Sequence, residues 1–162
     1  MVTVRDNGAK GDKEQHMIFV NLHFHNPMED LALGDYLRKH QCEHMLFFLQ
    51  KRQKEFAGTA ERVIVSGDFN TEPGESAYKM MHDFGFKSSF NVVNGQEPKE
   101  TYRPCIEAPF ADPDPPACFD YIFFKGTGLE PFKSKVTAYD CVPGDPTLYA
   151  SDHMAIVTDF KL

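Results

Sequence analysis

Four short strings put acids, an amide and imidazoles where strand ends are predicted: Leu22-His23, Gly67-Asp68-Phe69-Asn70, Phe119-Asp120-Tyr121-Ile122 and Ser151-Asp152-His153. These residue types suit phosphoryl chemistry, in which a protein must hold a hard divalent cation, neutralise charge building on phosphate oxygens and orient a water. Oxygen donors suit Mg²⁺, so Asp68, Asn70 and Asp152 are the expected ligands, with Mn²⁺ as a second candidate ion. A carboxylate paired with His153 would fix its tautomer and raise its basicity, and Asp120 is the expected partner. Each string also has a plainer account. Gly, Asp and Asn form turns, His23 could be an ordinary strand histidine, and Ser151-Asp152 could cap a local turn. Asp120 is harder to dismiss, because an unpaired carboxylate at the start of an apolar strand is costly. The set taken together favours chemistry; His16, His25, His40, His44 and His82 have no expected role.

The elements that must carry these residues read as follows. Met1 to Arg5, the turn signal Asn7-Gly8 and the apolar run Met17 to Phe24 predict an antiparallel hairpin. Leu33, Leu37, Met45, Phe48, Leu49 and Phe56 recur at helical spacing and predict one long amphipathic helix, with Gly58 as its stop. Arg62 to Ser66 carries Val-Ile-Val, the pattern of a strand covered on both faces, and delivers Asp68 at its carboxyl end. Glu75 to Asp83 is a short helix ending before Gly85. Between residues 87 and 118 the prolines at 98, 104, 109, 113, 115 and 116 exclude regular structure over most of the stretch, which is expected to be an ordered loop near the pocket. Phe119 to Phe124 and Ala155 to Phe160 are the last two predicted strands. The Phe47-Phe48 and Phe123-Phe124 pairs are expected in the core.

A strand, helix, strand unit makes parallel neighbours, which places His23 and Asp68 on one edge. Asp120 and Asp152-His153 precede their strands, so they reach that edge only if those strands run antiparallel to the first pair. A mixed sheet is therefore predicted, with its pocket at the carboxyl ends of the parallel strands.

The length of 162 residues, with 41% hydrophobic content and 15 Phe, fits a single domain over residues 1–162. A net charge of -7 argues against a broad basic face for wrapping duplex nucleic acid. The four cysteines form no C-x-x-C pair, which counts against structural zinc. With no secretory leader ahead of them, an intracellular, cytoplasmic setting is expected. No apolar run approaches membrane-spanning length, so no membrane span is expected.

The same strings resemble the endonuclease/exonuclease/phosphatase superfamily over its carboxyl-terminal half, from about Val20 to Leu162. The resemblance implies half of a four-layer α/β sandwich with a mixed β-sheet, the DNase I-like fold. It also implies a metal-dependent phosphodiesterase. Carried over, Asp68 activates the attacking water or binds metal and Asn70 contacts the scissile phosphate. Asp152 is a metal ligand, His153 handles the water or phosphate, Asp120 orients His153, and His23 stabilises the transition state or assists the leaving group. Arg38 and Gln41 echo an Arg-x-x-Gln spacing, expected to support packing or the helix surface. The string GDFNTEPGESAY with Thr101-Tyr102 looks like the deadenylase and nocturnin branch, which implies nucleic acid, single-stranded RNA included, as substrate. A lipid or small-molecule phosphoesterase is the rival within catalysis. The family's early asparagine and metal-anchoring glutamate have no matching position, and Glu14 and Glu29 are tied to neither. The expectation is a chain whose amino-terminal half lies upstream or in another polypeptide, or else a catalytically incomplete interaction module.

Overall fold

A computed structural model of the chain describes residues 2–6, 15–26, 30–56, 62–104, 114–137 and 141–162. In chain order the elements are β1 (Val2–Asp6), β2 (Gln15–His23), α1 (Leu31–Glu55), β3 (Arg62–Asp68), α2 (Ser76–Asp83), β4 (Lys87–Ser88), α3 (Ser89–Asn94), β5 (Asp120–Lys125), β6 (Glu130–Thr137), β7 (Cys141–Val142), β8 (Asp145–Tyr149) and β9 (Ala155–Lys161). The Asn7-Gly8 turn, Glu14, Glu29, Gly58, Pro109 and Pro113 lie outside the described residues.

A five-stranded sheet in the order β1-β2-β3-β5-β4 forms the centre. As expected, β1 and β2 pair antiparallel, β2 and β3 pair parallel across the intervening α1, and β5 runs antiparallel to β3, so the sheet is mixed. Alternation sends every second side chain to one face. Ile18 and Val20 of β2, Val63 and Val65 of β3, and Tyr121 and Phe123 of β5 share the face that packs with Cys42, Leu46 and Leu49 of α1 and Ala77 and Met81 of α2. Burying each of the larger side chains contributes about 1.5–3 kcal/mol.

Several expectations need correction. The Val-Ile-Val run of β3 is not covered equally on both faces, since Val63 and Val65 are fully buried and Ile64 on the opposite face is only half-buried. The last strand, which follows Asp152-His153, does not join the main sheet. Instead β9 pairs antiparallel with β6 in a separate two-stranded sheet, which meets the main sheet through the edge-on contact of Phe160 with Phe124 at 5.4 Å. The strand β6 carries little apolar alternation and buries only Ser134, so periodicity does not reveal it. The stretch from 87 to 118 contains β4 and α3 before the prolines begin, with Ser88 Oγ accepting from the Asn91 N–H at 3.4 Å and Gly95 closing α3 at φ 79°. These are ordinary helix cap signals that the proline count overshadows.

The helix α1 starts where Asp30 Oδ1 accepts from the Leu33 N–H at 3.0 Å. Its buried stripe is Gly34, Arg38, Cys42, Leu46 and Leu49, which shares only Leu49 with the apolar stripe expected: Met45 and Phe56 pack against the core partly buried, while Leu33 and Phe48 are exposed, as is Phe47, whose pair with Phe48 is expected in the core. The reason is a polar anchor. Arg38 is 1% exposed, and its Nε donates to Thr71 Oγ1 at 3.1 Å while its Nη2 lies 3.5 Å from Glu75 Oε2. Asp35 accepts from Ser76 N–H and Oγ at 3.1 and 2.6 Å and so caps α2 from a neighbouring helix. These two side chains fix which face of α1 turns inward. Arg38 Nη1 has no hydrogen-bond partner among the described residues, so part of the guanidinium's desolvation is uncompensated. Arg38→Ala is expected to cost about 3 kcal/mol, through a cavity and the loss of the Thr71 and Glu75 bonds. Arg38→Met, which keeps volume and removes a buried charge, is expected to cost about 1 kcal/mol. Urea unfolding of both variants checks the ordering.

Candidate active site

The register of the sheet builds most of the site without help from loops. His23 pairs with Asp68 across β2 and β3, and Asp68 pairs with Asp120 across β3 and β5. Paired residues point to the same side, so the three side chains form one row on the face opposite the helices. The same face carries the row Phe19, Ile64 and Phe124 further along.

Phe69 holds the end of β3 in place. It is fully buried and meets Phe24, Tyr121 and Phe123 edge-on at 5.1, 5.7 and 5.1 Å. With that ring fixed in the core, the residues on either side turn out toward the row. Asn70 adopts φ 47°, the left-handed region, which asparagine tolerates better than most residues. Its N–H donates to Asp68 Oδ1 at 2.7 Å, and its Nδ2 donates to Asp68 Oδ2 at 3.2 Å and to the Phe24 carbonyl at 2.9 Å. An amide whose nitrogen is committed to acceptors has only Oδ1 left for a cation or a phosphate. Gly67 is required by the close approach of β2: a Cβ there would lie 2.0 Å from the Leu22 carbonyl oxygen.

His153 arrives from the segment leading into β9. Its Nδ1 lies 2.8 Å from Asp120 Oδ2 and its Nε2 lies 3.8 Å from Asp68 Oδ2. Because a carboxylate only accepts, Nδ1 carries the proton and Nε2 is left to face Asp68. The hydrogen bond to Asp120 holds the His153 pKa above the usual imidazole range, against the opposing effect of burial. Asp68 is also raised, first by burial and then by the neighbouring Asp120 carboxylate, with the Asn70 N–H opposing. Two carboxylates this close favour a cation between them. Ligand atoms of Asp68, Asp120 and His153 all lie within 4.8 Å of one another, a grouping that could hold a metal ion.

The other candidates fall around this group. His23 Nε2 is 3.4 Å from Asp68 Oδ2 on a side chain 72% exposed. Asp152 is exposed and lies outside the three-residue group; its carboxylate is 3.4 Å from Ser151 Oγ, and its charge adds to the upward shift of His153. Gln41, from α1, accepts the His25 N–H at 2.8 Å, just past the end of β2. Arg103 is exposed and paired with Glu100, as a solvated loop residue would be. Thr101 carries no expected role, and its place beside Tyr102 is the only signal in the sequence. The structure buries it completely between the segments that carry Asp120 and His153.

Comparison with known proteins agrees with this architecture. The human nocturnin catalytic domain with bound sulfate superposes with a TM-score of 0.62 at 20% identity, over 98% of this chain and 51% of that one. A Bacteroides thetaiotaomicron mannosyl-6-phosphatase gives 0.61 at 19% identity, over 92% of this chain and 52% of that one. An Arabidopsis thaliana protein described as an uncharacterized calcium-binding protein is 30% identical over 95 residues, 59% of this chain and 19% of that protein. The chain thus spans about half the length of these solved structures. The mixed α/β architecture and mixed sheet are those of the DNase I-like fold. The sequence matches the pattern of a family from residue 7 to residue 153, a span that contains every residue of the Asp68, Asp120 and His153 group, and on that match the chain belongs to the Endonuclease/Exonuclease/phosphatase family.

Proposed function

We propose that the chain is the carboxyl-terminal part of a Mg²⁺-dependent phosphodiesterase, with single-stranded nucleic acid of the deadenylase type as its favoured substrate. The observation that carries this reading is the convergence of Asp68, Asp120 and His153 on ligand atoms within 4.8 Å of one another at the end of a parallel strand pair. Two carboxylates and an imidazole form a donor set that fits a divalent cation. When bound, such an ion would stabilise charge on phosphate oxygens and make a bound water more acidic.

The protein's own groups take the remaining tasks. Asp68, fixed on both oxygens by Asn70, orients the attacking water and accepts its proton. His153 presents Nε2 to the same space, and its proton on Nδ1 is held by Asp120. Exposed His23, across from Asp68, is placed to stabilise the leaving oxygen. Asn70 Oδ1 contacts the phosphate, and Asp152 contributes as a ligand through rearrangement or through water. An intracellular, reducing setting belongs to the same reading.

The half-length match to the solved structures supports a second element of the proposal: the rest of the domain, upstream or in another chain, supplies the early asparagine and glutamate and covers the row of Phe19 and Ile64. Release of AMP from oligoadenylate in Mg²⁺ is the expected result, and removing the ion with a chelator is expected to lower turnover by at least about 100-fold, restored on adding Mg²⁺. Hydrolysis of phosphosphingolipid or dinucleotide alone would retire the nucleic-acid reading in favour of a small-molecule phosphoesterase. Absence of Mg²⁺ binding by calorimetry, with no hydrolysis by the chain or by an extended form, would favour an interaction module.

A further inference from the structure

We propose that Thr101 is a positioning residue that locks Asp120 and His153 to each other, an inference that deepens the proposed function. The two partners are 33 residues apart: Asp120 opens β5 of the five-stranded sheet, and His153 lies outside the sheets, in the segment leading into β9. Sheet register, which aligns His23, Asp68 and Asp120, therefore has no hold on His153. Residues 101–103 provide it.

Thr101 Oγ1 accepts two backbone protons, from Phe119 N–H and Asp120 N–H, each at 3.0 Å. A hydroxyl oxygen has two lone pairs and can serve both. On its main chain Thr101 donates to the Ala117 carbonyl at 2.8 Å and accepts from the Met154 N–H at 2.7 Å. One completely buried residue thus grips the start of β5 with its side chain and the residue after His153 with its carbonyl. Its neighbours extend the clamp. Tyr102 bridges both Ala117 and His153 and lays its ring 5.1 Å from the imidazole, and Arg103 N–H donates to the Asp152 carbonyl at 2.9 Å.

The side chain at 101 has to be small enough to fill a closed space and must offer one acceptor to two backbone amides. Valine matches the shape and lacks the acceptor; serine keeps the acceptor and lacks the methyl. With valine, the two amides must find other partners, and the first residue of β5 shifts with them. The consequence falls on the 2.8 Å contact between Asp120 and His153, since Asp120 moves and the His153 segment does not.

The test is the proton NMR signal of the His153 Nδ1–H, which stands downfield when the imidazole donates to a carboxylate. It is read in the whole chain alongside amide exchange. Thr101→Val is expected to abolish the signal and to speed exchange at Phe119 and Asp120 by at least about tenfold, while β2 and β3 amides stay protected. Thr101→Ser is expected to keep both. Should valine unfold the chain, the series Ser then Ala makes the same comparison, since only alanine removes the acceptor. In the hydrolysis assay Thr101→Val is expected to lower kcat by about 100-fold with little change in KM, as a displaced catalytic pair does. A signal that survives in Thr101→Val, or one lost equally in Thr101→Ser, would overturn the proposal. Failure of both the chain and an extended form to hydrolyse any phosphoester would remove the proposed function and leave the NMR comparison to decide the clamp.

Discussion

Asp68→Ala in the complete protein is expected to lower phosphoester turnover by at least about 10³-fold, the scale of a lost general base, and to leave the fold nearly unchanged. The two effects separate because of what Asp68 touches. Its carboxylate sits in the middle of the central row, 3.4 Å from His23 and 3.8 Å from His153, with Asp120 as its other neighbour in the row. Among the described residues it is one of the two carboxylates of the three-residue group that could hold an ion. For stability, the variant loses the bonds from Asn70 N–H and Nδ2, worth about 1 kcal/mol each. Against that, it removes a charge whose burial and whose Asp120 neighbour both disfavour ionisation. The net change is expected to stay within about 1 kcal/mol. Turnover on oligoadenylate, with far-ultraviolet circular dichroism and a melting curve on the same sample, checks both halves. Unchanged turnover would mean that the chemistry is centred elsewhere.

A methyl group one residue earlier is expected to do the reverse and break the structure first. In Gly67→Ala the new Cβ would sit 2.0 Å from the Leu22 carbonyl oxygen, and the backbone there has φ +137°. Neither atom is at the end of a flexible side chain, so β2 and β3 have to part at the pair Leu22 and Gly67, next to His23 and Asp68. The expected cost is at least about 3 kcal/mol. Gly74→Ala is the control, because that glycine also has positive φ, +97°, and nothing would lie within 4 Å of its new methyl. Its cost is expected to be about 1 kcal/mol, from conformation alone. Urea midpoints of the two variants measure the difference; equal midpoints would show that the strand approach yields easily.

The shared fold leaves the substrate open, because substrate contacts come largely from loops and not from the sheet. A nocturnin domain and a mannosyl-6-phosphatase superpose almost equally well on this chain.

Much of the fold is legible in the chain because its signals are local. The hairpin and the parallel pair flanking a long helix follow from apolar runs, spacing and turn residues, and the antiparallel β5 follows from the need for Asp120 to reach the edge that carries Asp68. The strings around Asp68, Asp120 and His153 are legible for a related reason: acids and imidazoles at the ends of apolar strands are costly to place without a use. What sequence does not supply is long-range geometry. Hydrophobic spacing predicts Leu33 and Phe48 inward on α1, but the buried Arg38, reaching Thr71 and Glu75, turns another face to the core. Nothing in Ala155–Lys161 says that it pairs with the weakly patterned Glu130–Thr137 and not with the main sheet. The meeting of Asp120 with His153 is expected from their chemistry, but its 2.8 Å distance is decided by Thr101, a residue without any charge. Residue type and period belong to the chain alone, while the choice of face, the partner strand and the clamp on Asp120 and His153 depend on contacts between segments far apart, and only the folded molecule brings those together.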